Sequence, residues 1–212
     1  MDTLSKELQQ PKLHAMIRRF LFDQVYADEQ MSSADVPINL CPIFDGRVAV
    51  YHSATATFYA PSELAGSGGM HREIIHSTPS WYHEYERRDT ILIQNGLDKD
   101  VMGGMLVGWV IRFLSIVHDN LQYLFAYVEW FEPFADACDP LTGLWVVRPE
   151  KEGRHRAVGL VHVDSIVRAC HLIGVFGSAR IPLDFHFADS LDAFKMFYVN
   201  QYADYHSHEC LP

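Results

Sequence analysis

The stretch Met105-Leu-Val-Gly-Trp-Val-Ile-Arg-Phe-Leu-Ser-Ile-Val117, then His118-Asp119-Asn120, then Leu121-Gln-Tyr-Leu-Phe-Ala-Tyr-Val-Glu-Trp-Phe131 decides the fold. Both apolar runs are rich in β-branched and aromatic residues, and the polar triplet between them has turn composition, so the stretch predicts a long β-hairpin. Beyond it, Glu132 to Gly143 carries Pro133, Asp139-Pro140 and Gly143 and reads as a loop. Leu144-Trp145-Val146-Val147 is then a third strand, stopped by Arg148-Pro149.

Working outward, further strands are expected near 47, 90, 157 and 172, beside those at 106, 121 and 144. Arg47 to Tyr59 reads as one long, bent strand, Thr90 to Gln94 as another, and Asn95-Gly96 as the start of a turn. Pro79 to Asp89 is expected as a short helix or surface loop, and Asp164 or Ser165 as the cap of a short helix. Pro11 can open an amphipathic helix carrying Leu13, Met16, Ile17, Phe20, Leu21 and Val25 on one face. At the other end, Asp189-Ser190 is positioned to cap a helix with an aromatic stripe of Leu191, Phe194, Phe197, Tyr198, Tyr202 and Tyr205. The expectation is an α+β chain: a strongly bent antiparallel sheet or small β-barrel flanked by N- and C-terminal amphipathic helices. It forms a single domain over 1–212, with a helix at 11–27, a β-rich core at 47–176 and a helix at 189–206.

A length of 212 residues with 49% hydrophobic content suffices for a substantial core. A formal charge of -10 argues against a surface built wholly for duplex DNA, whose affinity comes from neutralising phosphates. Arg18 and Arg19 on the first helix are the local basic candidates for nucleic acid. Cys41, Cys138, Cys170 and Cys210 form no Cys-x-x-Cys pair, so neither a zinc ribbon nor a thioredoxin-like site is indicated. No signal-peptide pattern and no uncharged apolar 18-mer occurs, so the chain is expected to be intracellular with no membrane partner.

The usual catalytic signatures are missing. Gly66-Ser67-Gly68 is no nucleophile elbow, and the glycine-rich segment 62–70 lacks the Gly-Lys-Ser/Thr ending of a phosphate loop. Asp89, Glu129 and Asp164 have no spacing that favours two-metal chemistry. His206-Ser207-His208-Glu209-Cys210 invites a metal, but histidines two apart point to nearly opposite faces of a helix. The expectation is therefore no enzyme activity, no cofactor and no metal ligand.

Five stretches carry a resemblance: His52 to Ser62, Gly68-Gly69-Met70-His71-Arg72-Glu73, Thr142 to Val147, Arg168-Ala169-Cys170-His171-Leu172, and Phe197 to Glu209. In this order, over about Leu13 to Glu209, they resemble the C-terminal region of the Plavaka transposases, CACTA-like DNA transposon proteins of mushroom-forming fungi. In that family the region follows an RNase H-like catalytic core, which this chain is expected to lack. The resemblance implies a non-catalytic, transposase-derived accessory or interaction module, nuclear, with a protein partner such as an intact transposase or a chromatin protein. It carries over no catalytic residue.

The central strands are also similar to SH3-like and bromo-adjacent-homology (BAH-like) barrels. In such chromatin readers, rim aromatics cage a methylated lysine. Tyr59, Trp130, Phe131 and Trp145 are the candidates here, and the alternative is that they pack in the core. A reader, a nucleic-acid-binding module and, less favoured, a metal-dependent enzyme are the competing functions.

Overall fold

The computed structural model describes residues 2–27, 31–61, 67–82, 85–94, 101–178, 180 and 183–211. Its spine is the expected hairpin, β6 (Met105–His118) and β7 (Leu121–Pro133), paired antiparallel from Val107↔Phe131 to His118↔Leu121. Asp119 and Asn120 make the turn at φ 49° and 63°. Both are short polar residues that tolerate the left-handed region a two-residue hairpin turn requires.

Each spine strand is long enough to serve two partners. β6 pairs with β1 (Ala49–Tyr51) through its far half and with β5 (Thr90–Gln94) through its near half. β7 pairs with β11 (Val158–His162) and, beyond it, with β8 (Val146–Pro149). β8 pairs with β14 (Phe197–Val199), and β14 with β13 (Leu172–Gly174). On the opposite side, β5 pairs with β12 (Ile166–Cys170). The order β12-β5-β6-β7-β8-β14-β13 thus begins and ends in one chain segment, since only His171 separates β12 from β13. The result is a mostly β protein whose seven-strand antiparallel sheet nearly closes into a barrel, with few and short helices.

A bulge in β6 sets which side chains fill which face. The register shifts between Val110 and Arg112, so Val107, Trp109 and Ile111 share a core with Leu114 and Ile116 across an odd-to-even change of phase. That core continues through Phe125, Tyr127, Phe131, Trp145 and Phe197, and is covered by Leu13, Ile17, Phe20 and Leu21 of α2 (Leu13–Val25). The opposite face buries Val110, Phe113, Ala126 and Val128 against Phe58 and Ile75 of a second sheet, formed by β2 (Ser53–Tyr59), β3 (Met70–Trp81) and β4 (Tyr85–Arg88). With both faces covered, the spine strands read as continuous apolar runs, and burial of each large side chain contributes about 1.5–3 kcal/mol.

Several expectations need correction. The helix at 189–206 is not formed. A short α3 (Ser190–Ala193) and α4 (Tyr205–Cys210) flank β14, whose Phe197 and Val199 enter the barrel core. Three residues there are recruited by pairing on both sides, and this outweighs the helical spacing of the aromatics. Residues 79–81 belong to β3 and residues 85–88 to β4 rather than to a helix, and Val163–Ser165 is a single 3-10 turn leading into β12. The long strand at 47–59 is broken at His52 into β1 and β2, which join different sheets. The N-terminal helix is present as α2, preceded by a short α1 (Asp2–Glu7). The Asn95-Gly96 turn and the Ser62–Gly66 part of the glycine-rich loop lie outside the described residues.

Candidate functional site

Two arginine clusters stand out, and they use their donors differently. The first lies where β12 meets the C-terminal segment. Arg168, 4% exposed, donates two hydrogen bonds to Asp204, at 2.8 Å to Oδ1 and 2.5 Å to Oδ2. Its Nε donates to the Ala169 carbonyl, and its guanidinium lies 4.8 Å over the Phe58 ring. His206 also stacks on Phe58, with ring centroids 4.4 Å apart, and its Nδ1 lies 3.1 Å from Arg168. Glu73 of β3 stands 3.6 Å from the same guanidinium and accepts the Ala169 N–H at 2.5 Å.

The electrostatics of this clasp are self-consistent. Burial alone would raise the Asp204 carboxyl, but the Arg168 guanidinium and the Ser207 amide and hydroxyl outweigh it and hold the group down at about 2. Asp204 also caps α4 by accepting the Ser207 N–H at 2.7 Å. Burial pushes the Glu73 carboxyl up, with the Ala169 amide and Arg168 opposing. It also pushes Cys210 up and Cys170 up to about 12, which leaves both as thiols rather than nucleophilic thiolates.

The second cluster sits at the end of the barrel beside α1, in a cavity of about 860 Å³ lined by Arg88, Arg112, Arg156, Lys12, Glu129 and Tyr127, among others. Arg112, 6% exposed, reaches this wall because it is the second residue of the β6 bulge, and it donates to the Ile111 carbonyl and to Glu7. Arg156 of β10 (His155–Arg156), which pairs with β9 (Lys151–Glu152), donates to the Leu191 carbonyl and to Asp192 and lies 3.2 Å from Glu129. Arg88 bonds Glu86. After those bonds, Arg88 Nε, Arg112 Nε and Arg156 Nη1 are buried without a hydrogen-bond partner among the described residues. Burial pushes the Glu129 carboxyl up, with Arg156 opposing.

A cleft of about 500 Å³ adjoins this cavity, with Trp81, Tyr82, Tyr85, Trp109, Arg87 and Arg88 in its walls. Arg88 belongs to both, and Arg156 joins them by its bond to Leu191, which also faces the cleft. The aromatic faces already carry cations: Arg87 lies 4.5 Å over Trp81, and Arg88 and Arg156 lie 5.7 and 5.3 Å from Trp109.

The candidates read from sequence do not come together. Phe131 and Trp145 are core residues at 2% and 4% exposure. Trp130 packs on the opposite face of β7, against Gly159, while Tyr59 is an exposed residue lying over Gly69. They form no cage. Arg18 donates to the Cys41 and Pro42 carbonyls, and Arg19 to those of Ser33 and Val36, so both tie α2 to the 33–42 connector. Asp89 binds His76 and Arg87, Glu129 meets Arg156, and Asp164 is exposed beside His162, with no shared partner. His206 points inward and His208 outward against Tyr202, as helix geometry requires. Among the described residues, no three His, Cys, Asp or Glu side chains stand where they could share a metal, and no helix is long and apolar enough to cross a membrane. The one sequence signal for the missed arginines was Arg112 inside the apolar run Val110-Ile111-Arg112-Phe113-Leu114.

Fold and side chains together define a class: a mostly β, barrel-like domain with a fully paired arginine clasp and a second arginine cluster that is only partly paired. Comparison with protein-family models, with curated proteins and with solved structures finds no match to this chain.

Proposed function

We propose that the chain is a non-catalytic interaction module, an SH3-like or BAH-like barrel of transposase-derived type as the Plavaka resemblance implies, acting in the nucleus with a protein partner. One observation carries this reading. The stretches that bear the resemblance meet in and around the Arg168 clasp: Phe58, Glu73, Arg168 and Asp204 are its members, Asn200 donates its N–H to the His171 carbonyl, and Gln201 donates to the Gly143 carbonyl. Their polar groups are engaged in holding the C-terminal segment against the barrel, an architectural use and not a reactive one. Incubation of the protein with single- and double-stranded DNA and Mg²⁺ or Mn²⁺ should give no cleavage. Reproducible cleavage that disappears in an Asp89→Ala, Glu129→Ala or Asp164→Ala variant would falsify the reading.

A second reading, binding of nucleic acid, is favoured by the arginine-and-aromatic cavity. A methyl-lysine reader is disfavoured by the same site, because guanidinium groups already occupy the ring faces that a ligand cation would need.

A further inference from the structure

We propose that the arginine cavity and the aromatic cleft, joined through Arg88, form one binding site for a nucleotide unit, with the base in the cleft and the phosphate in the cavity. The inference rests on the binding-module reading and gives it a ligand. Its ground is the imbalance of donors. Three guanidinium nitrogens, on Arg88, Arg112 and Arg156, lack acceptors among the described residues, against one unpaired acceptor in the same cavity, Glu129 Oε2, and the side chain of Arg112 is more than nine-tenths buried. Leaving buried donors unmatched is unfavourable, and what complements several of them at once is a group with many acceptor oxygens and negative charge.

Lys12, Arg88, Arg112 and Arg156 share the cavity with Glu7, Glu129 and Glu152, and Arg88 and Arg156 are also paired with Glu86 and Asp192. The site therefore gathers guanidinium donors without a net positive field, and its hold on a phosphate comes from short-range charge-assisted hydrogen bonds. The neighbouring cleft supplies the other half of a nucleotide. Its volume falls in the range of about 300–1,000 Å³ usual for small-molecule sites. Tyr82 and Tyr85 offer exposed rings, and Arg87 and Arg88, which already cover faces of Trp81 and Trp109, offer guanidinium planes, on which a base stacks without regard to its sequence identity. A carboxylate-bearing peptide would use the arginines but gain little from the rings.

The test is a titration of the purified full chain with AMP, adenosine and inorganic phosphate, read by tryptophan fluorescence and equilibrium dialysis. AMP should bind saturably, at least about tenfold more tightly than either of its halves, since each half forfeits charge-assisted bonds or stacking. Arg88→Gln should weaken AMP about tenfold. Trp81→Ala should weaken AMP and adenosine about five- to tenfold and leave phosphate unchanged. A 5′-phosphorylated single-stranded tetranucleotide binding more tightly than AMP would assign the nucleotide unit to a strand, and equal affinity would assign it to free nucleotide. No saturable AMP binding by the wild-type protein overturns the proposal, as does wild-type affinity in both variants or equal displacement by oligoglutamate. Should Arg88→Gln fail to fold, Trp81→Ala, at a partly exposed position, decides alone. DNA cleavage would end the non-catalytic reading without touching this site, and a failure of AMP binding would end this proposal without touching that reading.

Discussion

Arg168 and Arg112 are equally buried, at 4% and 6% exposure, and yet sit in opposite situations. Arg168 has Asp204 in bidentate geometry, Glu73 nearby and an aromatic face beneath it. Arg112 has one backbone carbonyl and a half-exposed Glu7, and shares its cavity with two more incompletely bonded arginines. A buried charge whose bonds are all internal fastens the structure. One whose bonds are incomplete is available to something else.

The largest expected effect follows from breaking the paired side. Arg168→Met should destabilise the protein by about 2–4 kcal/mol in urea unfolding, because Asp204 and Glu73 would be left as uncompensated, partly buried acids. Replacing Asp204 as well, in Arg168→Met/Asp204→Leu, should recover part of that loss, with a coupling of about 1–3 kcal/mol. Additive losses would mean that the two side chains do not act as a unit. On the other side, Arg88→Gln should change stability by no more than about 1 kcal/mol while weakening AMP about tenfold.

The pH response sharpens the comparison with a smaller effect. Asp204 sits at about 2 in the folded chain, below its ordinary value of 3.8, so its contribution is complete above pH 4 and is lost as pH falls through about 2. Glu73 and Glu129 are shifted upward, so their protonation favours the folded state, and their effect is lost as pH rises through their folded values. Unfolding free energy should therefore hold or rise slightly on acidification toward pH 5 and fall below pH 4. In Arg168→Met the fall below pH 4 should be blunted.

Much of the barrel was legible in the chain. The hairpin at 105–131, the strands at 90, 157 and 172 and the first helix follow from local periodicity and from the Asp119-Asn120 turn. What misled were residues whose fate is set by distant partners. Phe197, Tyr198 and Val199 fit a helical stripe in spacing, and become a strand only because β8 and β13 stand on either side. Trp130, Phe131 and Trp145 were conspicuous as aromatics but serve as packing, which is the commonest use of large rings. Arg18 and Arg19 looked like a basic face, yet their donors satisfy backbone carbonyls of an irregular connector. The partly paired cluster was illegible because Arg88, Arg112 and Arg156 come from β4, β6 and β10, which belong to three different sheets and meet only in the folded chain.

The most direct test of the division between a fastening arginine and a receiving one is the thermal midpoint of three proteins with and without AMP at about one hundred times its dissociation constant. The wild type should gain about 2.7 kcal/mol, roughly 5–10 °C, from the ligand. Arg168→Met should melt much lower but keep the ligand-induced rise, and Arg88→Gln should melt near the wild type and lose about half of it. A rise that survives intact in Arg88→Gln, or no rise in the wild type, would contradict the account.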